Sequence, residues 1–326
     1  MHDDARQRRS YSQAVRRLVY AAYREPDQPH GSPALFYCLL KYLKKGACSV
    51  QRAAAQVFKI TKIIGGISMK KVIFALLAII ILSAPASAAQ KIVLGVTPFP
   101  AKDIAGVAKE VLAKDGYELV IREFTDFVQP NLALQDKSLD ANFFQHVPYL
   151  ENMRKEKNLD IVPLVKVHLL PIGIYSQKVK SLKDVPDKAV VALPNDPTNG
   201  FRAYKLLERE GLLKMKPGNK LTVLDIEDNP KKLKIIELEA PQLPRTLPDT
   251  TISVINMNFA VDAGLDPTKE ALALESKESP YAVVLACRSG DKDSEWIKAL
   301  SKALNSPEVK KFINEKLSVK GVVPAF

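Results

Sequence analysis

Residues 89–326 are predicted to form an α/β fold. Three observations carry that reading. Short apolar runs alternate with stretches of helical periodicity, prolines and glycines separate one run from the next, and two extended segments near the middle mark a crossing between lobes. No internal repeat, heptad pattern or low-complexity tract competes with it.

Lys91–Thr97 reads as a buried strand. Ile104, Val107, Ala108, Val111 and Leu112 then follow the spacing that lines one helix face, and Gly116 is placed to end the helix. Tyr117–Phe124 is the next strand, Pro130–Gln135 a short helix, and Ala141–Phe144 a strand that runs into a polar cluster ending at Tyr149. Ile161–His168 and Pro171–Ser176 are extended, since Pro171 and Gly173 break any helix there. Ala189–Leu193 is a strand, Pro194–Asn199 a turn, and Gly200–Glu210 a helix closed by Gly211. Leu221–Asp225 and Leu233–Glu239 read as strands, and the two prolines of Ala240–Leu247 permit only short helical pieces. Thr251–Ile255 is a strand that returns the chain to the first lobe at Asn256. Tyr281–Cys287 is strand-like, and Ser294–Leu304 and Pro307–Leu317 are amphipathic helices. The expected division is a first lobe of residues 89–168 and 257–326 and a second of residues 169–256.

The net charge of +12 does not belong to this fold. Residues 1–68 carry 12 Lys and Arg against 4 Asp and Glu, Lys70 and Lys71 add two more positive charges, and +2 is left for residues 89–326. The charge therefore gives no reason to expect a nucleic-acid partner for the folded part. Met69-Lys70-Lys71, the apolar run Val72–Leu82 and the small residues Ala86-Ser87-Ala88 make the three regions of a secretory signal over residues 69–88. The run of 11 residues is shorter than the roughly 20 of a membrane-spanning helix, and an uncleaved buried or amphipathic helix is its other reading. Because a signal belongs at the N-terminus, Met69 is the expected start and residues 1–68 a non-native upstream extension. The clustered Arg6, Arg8, Arg9, Arg16 and Arg17 support the competing reading, a basic extension that binds nucleic acid or membrane. Cys38 and Cys48 precede Met69, so Cys287 has no partner for a disulfide in the exported chain and is expected as a small core residue, not a nucleophile.

No phosphate-binding loop, hydrolase elbow, His-Glu-x-x-His or paired Cys-x-x-Cys motif occurs, and beyond residue 88 only His146 and His168 are histidines. Neither a cofactor nor a metal is expected, and no catalytic residue is assigned. Polar and aromatic residues gather instead at three places. In Asp140–Tyr149 a strand ends and a helix begins, so Gln145, His146 and Tyr149 can surround a ligand; a histidine cap with core aromatics explains the same cluster. In Pro194–Arg202, Thr198 or Asn199 can cap a helix whose free N–H groups make an anion site, with Arg202 as a clamp that calls for a compensating anion. The plainer alternative pairs Arg202 with Glu208 or Glu239 on the surface. Asn256 ends an apolar strand, where it can face a ligand or cap the next helix.

Asp140–Tyr149, Val191–Arg202 with its Pro-Asn-Asp-Pro-Thr-Asn core, Asn229–Arg245 with Leu-Lys-Ile-Ile-Glu-Leu-Glu-Ala-Pro-Gln-Leu-Pro-Arg, and Glu278-Ser279-Pro280-Tyr281 resemble, in order, the NlpA lipoprotein family, the substrate-binding proteins of methionine ABC importers. The resemblance covers essentially all of residues 91–326. It implies a two-lobed periplasmic binding protein of type II-like fold, with a ligand cleft between the lobes. The expected partners are L-methionine or a related amino acid and an inner-membrane permease of the methionine type, with the chain acting as a monomer without turnover. By position, Arg202 would hold the ligand carboxylate, with Asn199 beside it, and Asn256 the head group. Phe144, His146 and Tyr149 would wall the side-chain pocket opposite Phe127. Three departures are visible. No lipobox cysteine follows the signal, which implies a soluble periplasmic form without a lipid anchor; Phe127 stands where many relatives carry Tyr; and Val283 stands where many carry Asn. The last two make the pocket less polar. An enzyme on the same scaffold and a secreted interaction protein or adhesin are the rival readings.

Overall fold

The computed structural model describes residues 89–218, 221–276 and 279–326. The expected upstream extension, residues 1–68, and signal, residues 69–88, lie outside the described residues, as does Glu278.

Strand β1 (Gln90–Val96) buries Ile92, Leu94 and Val96, and removing such side chains from water stabilises the fold by roughly 1.5–3 kcal/mol each. Helix α1 (Asp103–Ala113) follows, its buried Ile104, Ala105, Ala108 and Leu112 facing the sheet, while the expected Val107 and Val111 pack half-buried at the margin. β2 (Tyr117–Glu123) and β3 (Ala141–His146) both pair in parallel with β1. Between them lies α2 (Gln129–Gln135), whose first turn is held by Asp126 Oδ1, accepting from the N–H groups of Val128 and Gln129 at 2.7 and 2.8 Å. β3 runs directly into α3 (Val147–Lys157), and β4 (Ile161–Leu169) completes this part of the first sheet.

The chain then crosses at Leu170 and Pro171 into β5 (Ile172–Tyr175) of a second sheet. There β6 (Val190–Pro194) leads into α4 (Pro197–Arg209), which buries Ala203, Tyr204, Leu206 and Leu207. A Cβ on Gly200 would lie 3.0 Å from the Pro194 carbonyl oxygen, so glycine lets the first turn of α4 sit close to the strand that feeds it. The helix starts three residues before the expected Gly200. Pro197 has the fixed φ suited to a first turn, and the capping residue is Asp196, not Thr198 or Asn199. Leu221–Asp225 is likewise not a strand. Thr222 and Asp225 form a capping box that winds Val223–Asp225 into a 3₁₀ turn, placed between the two strands of a small ladder, β7 (Lys214–Met215) and β8 (Ile226–Asp228).

β9 (Lys234–Leu238) and β10 (Ile252–Asn256) flank β6 in parallel, with a 3₁₀ segment at Ala240–Thr246 between them. Two short helices, α5 (Met257–Asp262) and α6 (Pro267–Glu270), precede β11 (Ala273–Leu274), which pairs with β5. The chain therefore visits the second sheet again after Asn256, within the stretch expected to belong wholly to the first lobe. β12 (Ala282–Arg288) returns to the first sheet, and α7 (Glu295–Leu304), α8 (Pro307–Phe312) and β13 (Val323–Pro324) complete it. The second predicted C-terminal helix is α-helical to Phe312 and continues as a wider π turn through Ile313–Leu317. The sheets run β13-β4-β12-β3-β1-β2 and β11-β5-β10-β6-β9. Cys287 is a fully buried free thiol on β12, and burial pushes its pKa up to about 11.

Candidate functional site

The carboxyl ends of β3, β6 and β10 converge on a narrow cleft, whose empty space of about 370 Å³ includes the open solvent at its mouth. All eight expected residues line it: Phe127, Phe144, His146, Tyr149, Asn199, Arg202, Asn256 and Val283. Gln145, already in the polar cluster, joins them, as do Leu170, Asn258 and Tyr281. Leu170 and Asn258 carry no motif that could have singled them out, whereas Tyr281 ends the Ser-Pro-Tyr signature.

The carbonyl oxygen of the Asn199 side chain is the centre of the polar end. It accepts from Arg202 Nη1 at 3.0 Å and Asn256 Nδ2 at 2.9 Å, and it lies 3.2 Å from His146 Nε2. The Asn199 amide is oriented by its other end, which donates to Asp196 Oδ2 at 2.9 Å. His146 Nδ1 accepts the Tyr149 backbone N–H at 3.1 Å, so Nε2 carries the proton of the neutral ring and donates it to Asn199. His146 thus both caps α3 and faces the cleft. Burial first, and then the nearby Arg202 charge, lower its pKa to about 3. Asn256 sits at the N-cap of α5 but makes no capping bond with its side chain. Its Oδ1 is buried without a partner, as is Asn258 Nδ2.

The anion expected beside Arg202 is present within the chain. Glu275 accepts from Arg202 Nε at 3.2 Å and Nη2 at 2.5 Å, replacing the anticipated Glu208 or Glu239. Glu208 is instead engaged by Lys205 Nζ and the Met215 N–H, at 2.8 and 2.9 Å. Nη2 also donates to the Leu170 carbonyl at 3.0 Å, and the guanidinium lies over the Tyr281 ring at 4.6 Å. Nor is the N-terminus of α4 an open anion site, because Asp196 Oδ1 accepts the N–H groups of Thr198 and Asn199 at 3.2 and 2.9 Å.

Opposite this polar end stand aromatic rings. Phe127 lies 5.9 Å from Phe144, 5.9 Å from Tyr149 and 4.8 Å from Phe259, centroid to centroid. The Tyr149 hydroxyl donates to the Phe127 carbonyl at 3.0 Å, fixing the loop that presents Phe127. Behind Phe144, Asn131 and Gln145 exchange two side-chain bonds of 2.7 Å, and Asn142 Nδ2 donates to Asn131 Oδ1 at 2.8 Å, which pins α2 to β3. Val283 lies between His146 on β3 and His168 on β4 in the sheet register.

Replacing Asn199 with alanine leaves three donors around one missing acceptor, at about 1–3 kcal/mol for a buried group left unsatisfied. The expected loss is about 2–3 kcal/mol, with the His146 ring released from its orientation. Urea unfolding measures the first and ring NMR shifts the second; an unchanged midpoint would mean that water replaces the amide.

Two α/β lobes enclosing a cleft with one hydrogen-bonded end and one aromatic end define a binding protein of the two-lobed class. The chain belongs to the NlpA lipoprotein family, whose model matches residues 92–326. A relative in Escherichia coli strain K12, D-methionine-binding lipoprotein MetQ, is 44% identical over 228 residues, covering 68% of this chain and 84% of the relative. A nutrient-binding protein from Burkholderia cenocepacia, solved bound to methionine, superposes with a TM-score of 0.70 at 48% identity over 72% of this chain and 100% of that one. An ABC transporter periplasmic substrate-binding protein from Coxiella burnetii gives 0.69 at 41% identity, over 72% of this chain and 100% of that one. The family and the first relative are described as lipoproteins, which stands against the expectation for this chain of a form without a lipid anchor, drawn from the lack of a cysteine after the signal.

Proposed function

We propose that the protein is the periplasmic substrate-binding component of an ABC importer, taking up methionine or a closely related amino acid and delivering it to an inner-membrane permease. The observation that carries this reading is the cleft itself. An orphaned buried acceptor, Asn256 Oδ1, suits an ammonium group at the polar end, and the rings of Phe127, Phe144 and Tyr149 suit a thioether at the other. The relatives' names point the same way. Arg202, oriented by its bond to Asn199, serves the ligand carboxylate through the N–H not taken by the chain. One chain supplies the whole cleft, in keeping with a monomer.

Binding without turnover is supported by the state of the ionisable groups. His146 is neutral with both nitrogens engaged, Arg202 is ion-paired, and burial raises the Tyr149 pKa so that its hydroxyl keeps its proton. None is free to act as base or nucleophile.

Thermal shift on ligand-stripped protein tests the proposal. Ligand at 100 times its dissociation constant stabilises a fold by about 2.7 kcal/mol, enough to move the melting temperature by several degrees. L-Methionine is expected to give that shift, D-methionine to be compared beside it, and lysine and glutamate to give none. Silence with methionine beside a strong response to an unrelated amino acid would overturn the ligand assignment.

A further inference from the structure

Arg202 has five N–H donors. The chain fills four of them: Nε and one N–H of Nη2 go to Glu275, the second N–H of Nη2 to the Leu170 carbonyl, and one N–H of Nη1 to Asn199. Glu275 is no loose surface partner. Its side chain is 15% exposed against 3% for Arg202, its N–H donates to the Ile172 carbonyl at 2.8 Å, and its Oε2 also accepts the Ile172 N–H at 3.4 Å. It is thereby fastened to β5, where the chain leaves β11. Asp196, the carboxylate bonded to the Asn199 amide, is committed to the N-terminus of α4, and His146 is neutral.

We infer that Glu275 is a specificity-determining residue of the cleft, cancelling the Arg202 charge so that only ligands without net charge are accepted. The inference rests on the function proposed above and deepens it. Arg202 then acts as a directed donor, not as a net positive charge. A zwitterion brings its own balanced pair, its ammonium to Asn256 Oδ1 and its carboxylate to the remaining N–H of Arg202 and to Asn258 Nδ2. An amino acid with a charged side chain, or the same skeleton stripped of one head-group charge, buries a charge that nothing in the cleft balances.

Calorimetry on the full chain with methionine, its 2-oxo acid and its methyl ester tests this in wild type, Glu275→Gln and Glu275→Asp. Wild type is expected to bind both analogues at least about 100-fold more weakly than methionine, in the range lost when one partner of a buried charge pair is removed. Glu275→Gln should bring the oxo acid at least about tenfold closer to methionine and push the ester further away, while Glu275→Asp keeps the wild-type order. That ratio is a readout which mere loosening of the cleft would not move. Identical ratios in wild type and Glu275→Gln would overturn the inference while leaving the function intact. If Glu275→Gln does not fold, wild type decides alone: oxo acid binding within about tenfold of methionine overturns the inference. A wild type that ignores methionine altogether overturns the functional reading first, and the inference with it.

Discussion

Arg202→Ala is expected to destabilise the fold by about 3–5 kcal/mol and to abolish ligand binding. The reason lies in what remains. Glu275 is anchored to β5 by its backbone N–H and its carboxylate is mostly buried, so removing Arg202 leaves that carboxylate with only the Ile172 N–H to balance it. Asn199 and the Leu170 carbonyl each lose a donor as well. Replacing both partners by apolar residues of similar volume should behave differently. Arg202→Met with Glu275→Met is expected to recover most of the stability and none of the binding, because a buried ion pair contributes little net stability while one orphaned charge costs much. Urea unfolding of the two single variants and the double variant closes the cycle. An unchanged midpoint in Arg202→Ala would mean that solvent reaches Glu275 and that the pair is not buried in solution.

Acidification from pH 7 to pH 5 is expected to remove about 2 kcal/mol of stability for each of His146 and His168. Both are buried and neutral, each with its pKa lowered to about 3. For His146 the causes are burial and then the Arg202 charge, partly offset by the bond to Asn199; for His168 the cause is burial, and neither ring nitrogen has a partner. In the unfolded chain both titrate near pH 6.5, roughly the ordinary histidine value. The folded value lies below the unfolded one, so the unfolded chain takes up protons first. The stability from these groups is complete above about pH 6.5 and declines toward pH 3 at up to about 1.4 kcal/mol per pH unit per histidine. Unfolding free energies at the two pH values measure the effect, and His168→Leu should halve it. A flat profile would mean that the folded chain accepts those protons.

The parts of this architecture that local pattern determines were legible in the sequence. β1, β2 and β6 lie within a residue or so of their apolar runs, and α1 turns the expected face inward. All eight proposed ligand residues reached one cleft: Phe144, His146, Asn256 and Val283 stand near strand ends and Tyr149 and Asn199 in first helical turns, where the α/β topology gathers them, while Arg202 reaches in from the second turn of α4 and Phe127 from a loop. Their roles toward a ligand rest on the binding experiments above. What the sequence concealed was of two kinds. One was competition between local signals: Pro197 reads as a turn residue until Asp196 is recognised as a cap, and Leu224 reads as a strand residue although it is 81% exposed in a capped 3₁₀ turn. The other was distance along the chain. Glu275 meets Arg202 across 73 residues, and neither periodicity nor a motif assigns a partner so remote. Asn256 was open to two readings because a strand-end amide looks the same whether it caps a helix or turns aside, and its bond to Asn199 decides between them.

Arg202 touches both connections between the sheets: it bonds Leu170 where β4 gives way to β5, and it meets Glu275 and Tyr281 where β11 gives way to β12. In mechanical terms the guanidinium is a rivet set through both stretches of chain that join the sheets. A rivet at two crossings ties each to the other, so the polar end of the cleft is braced from both sides, whereas the rings at the other end are held by their packing and by the single bond from the Tyr149 hydroxyl to the Phe127 carbonyl.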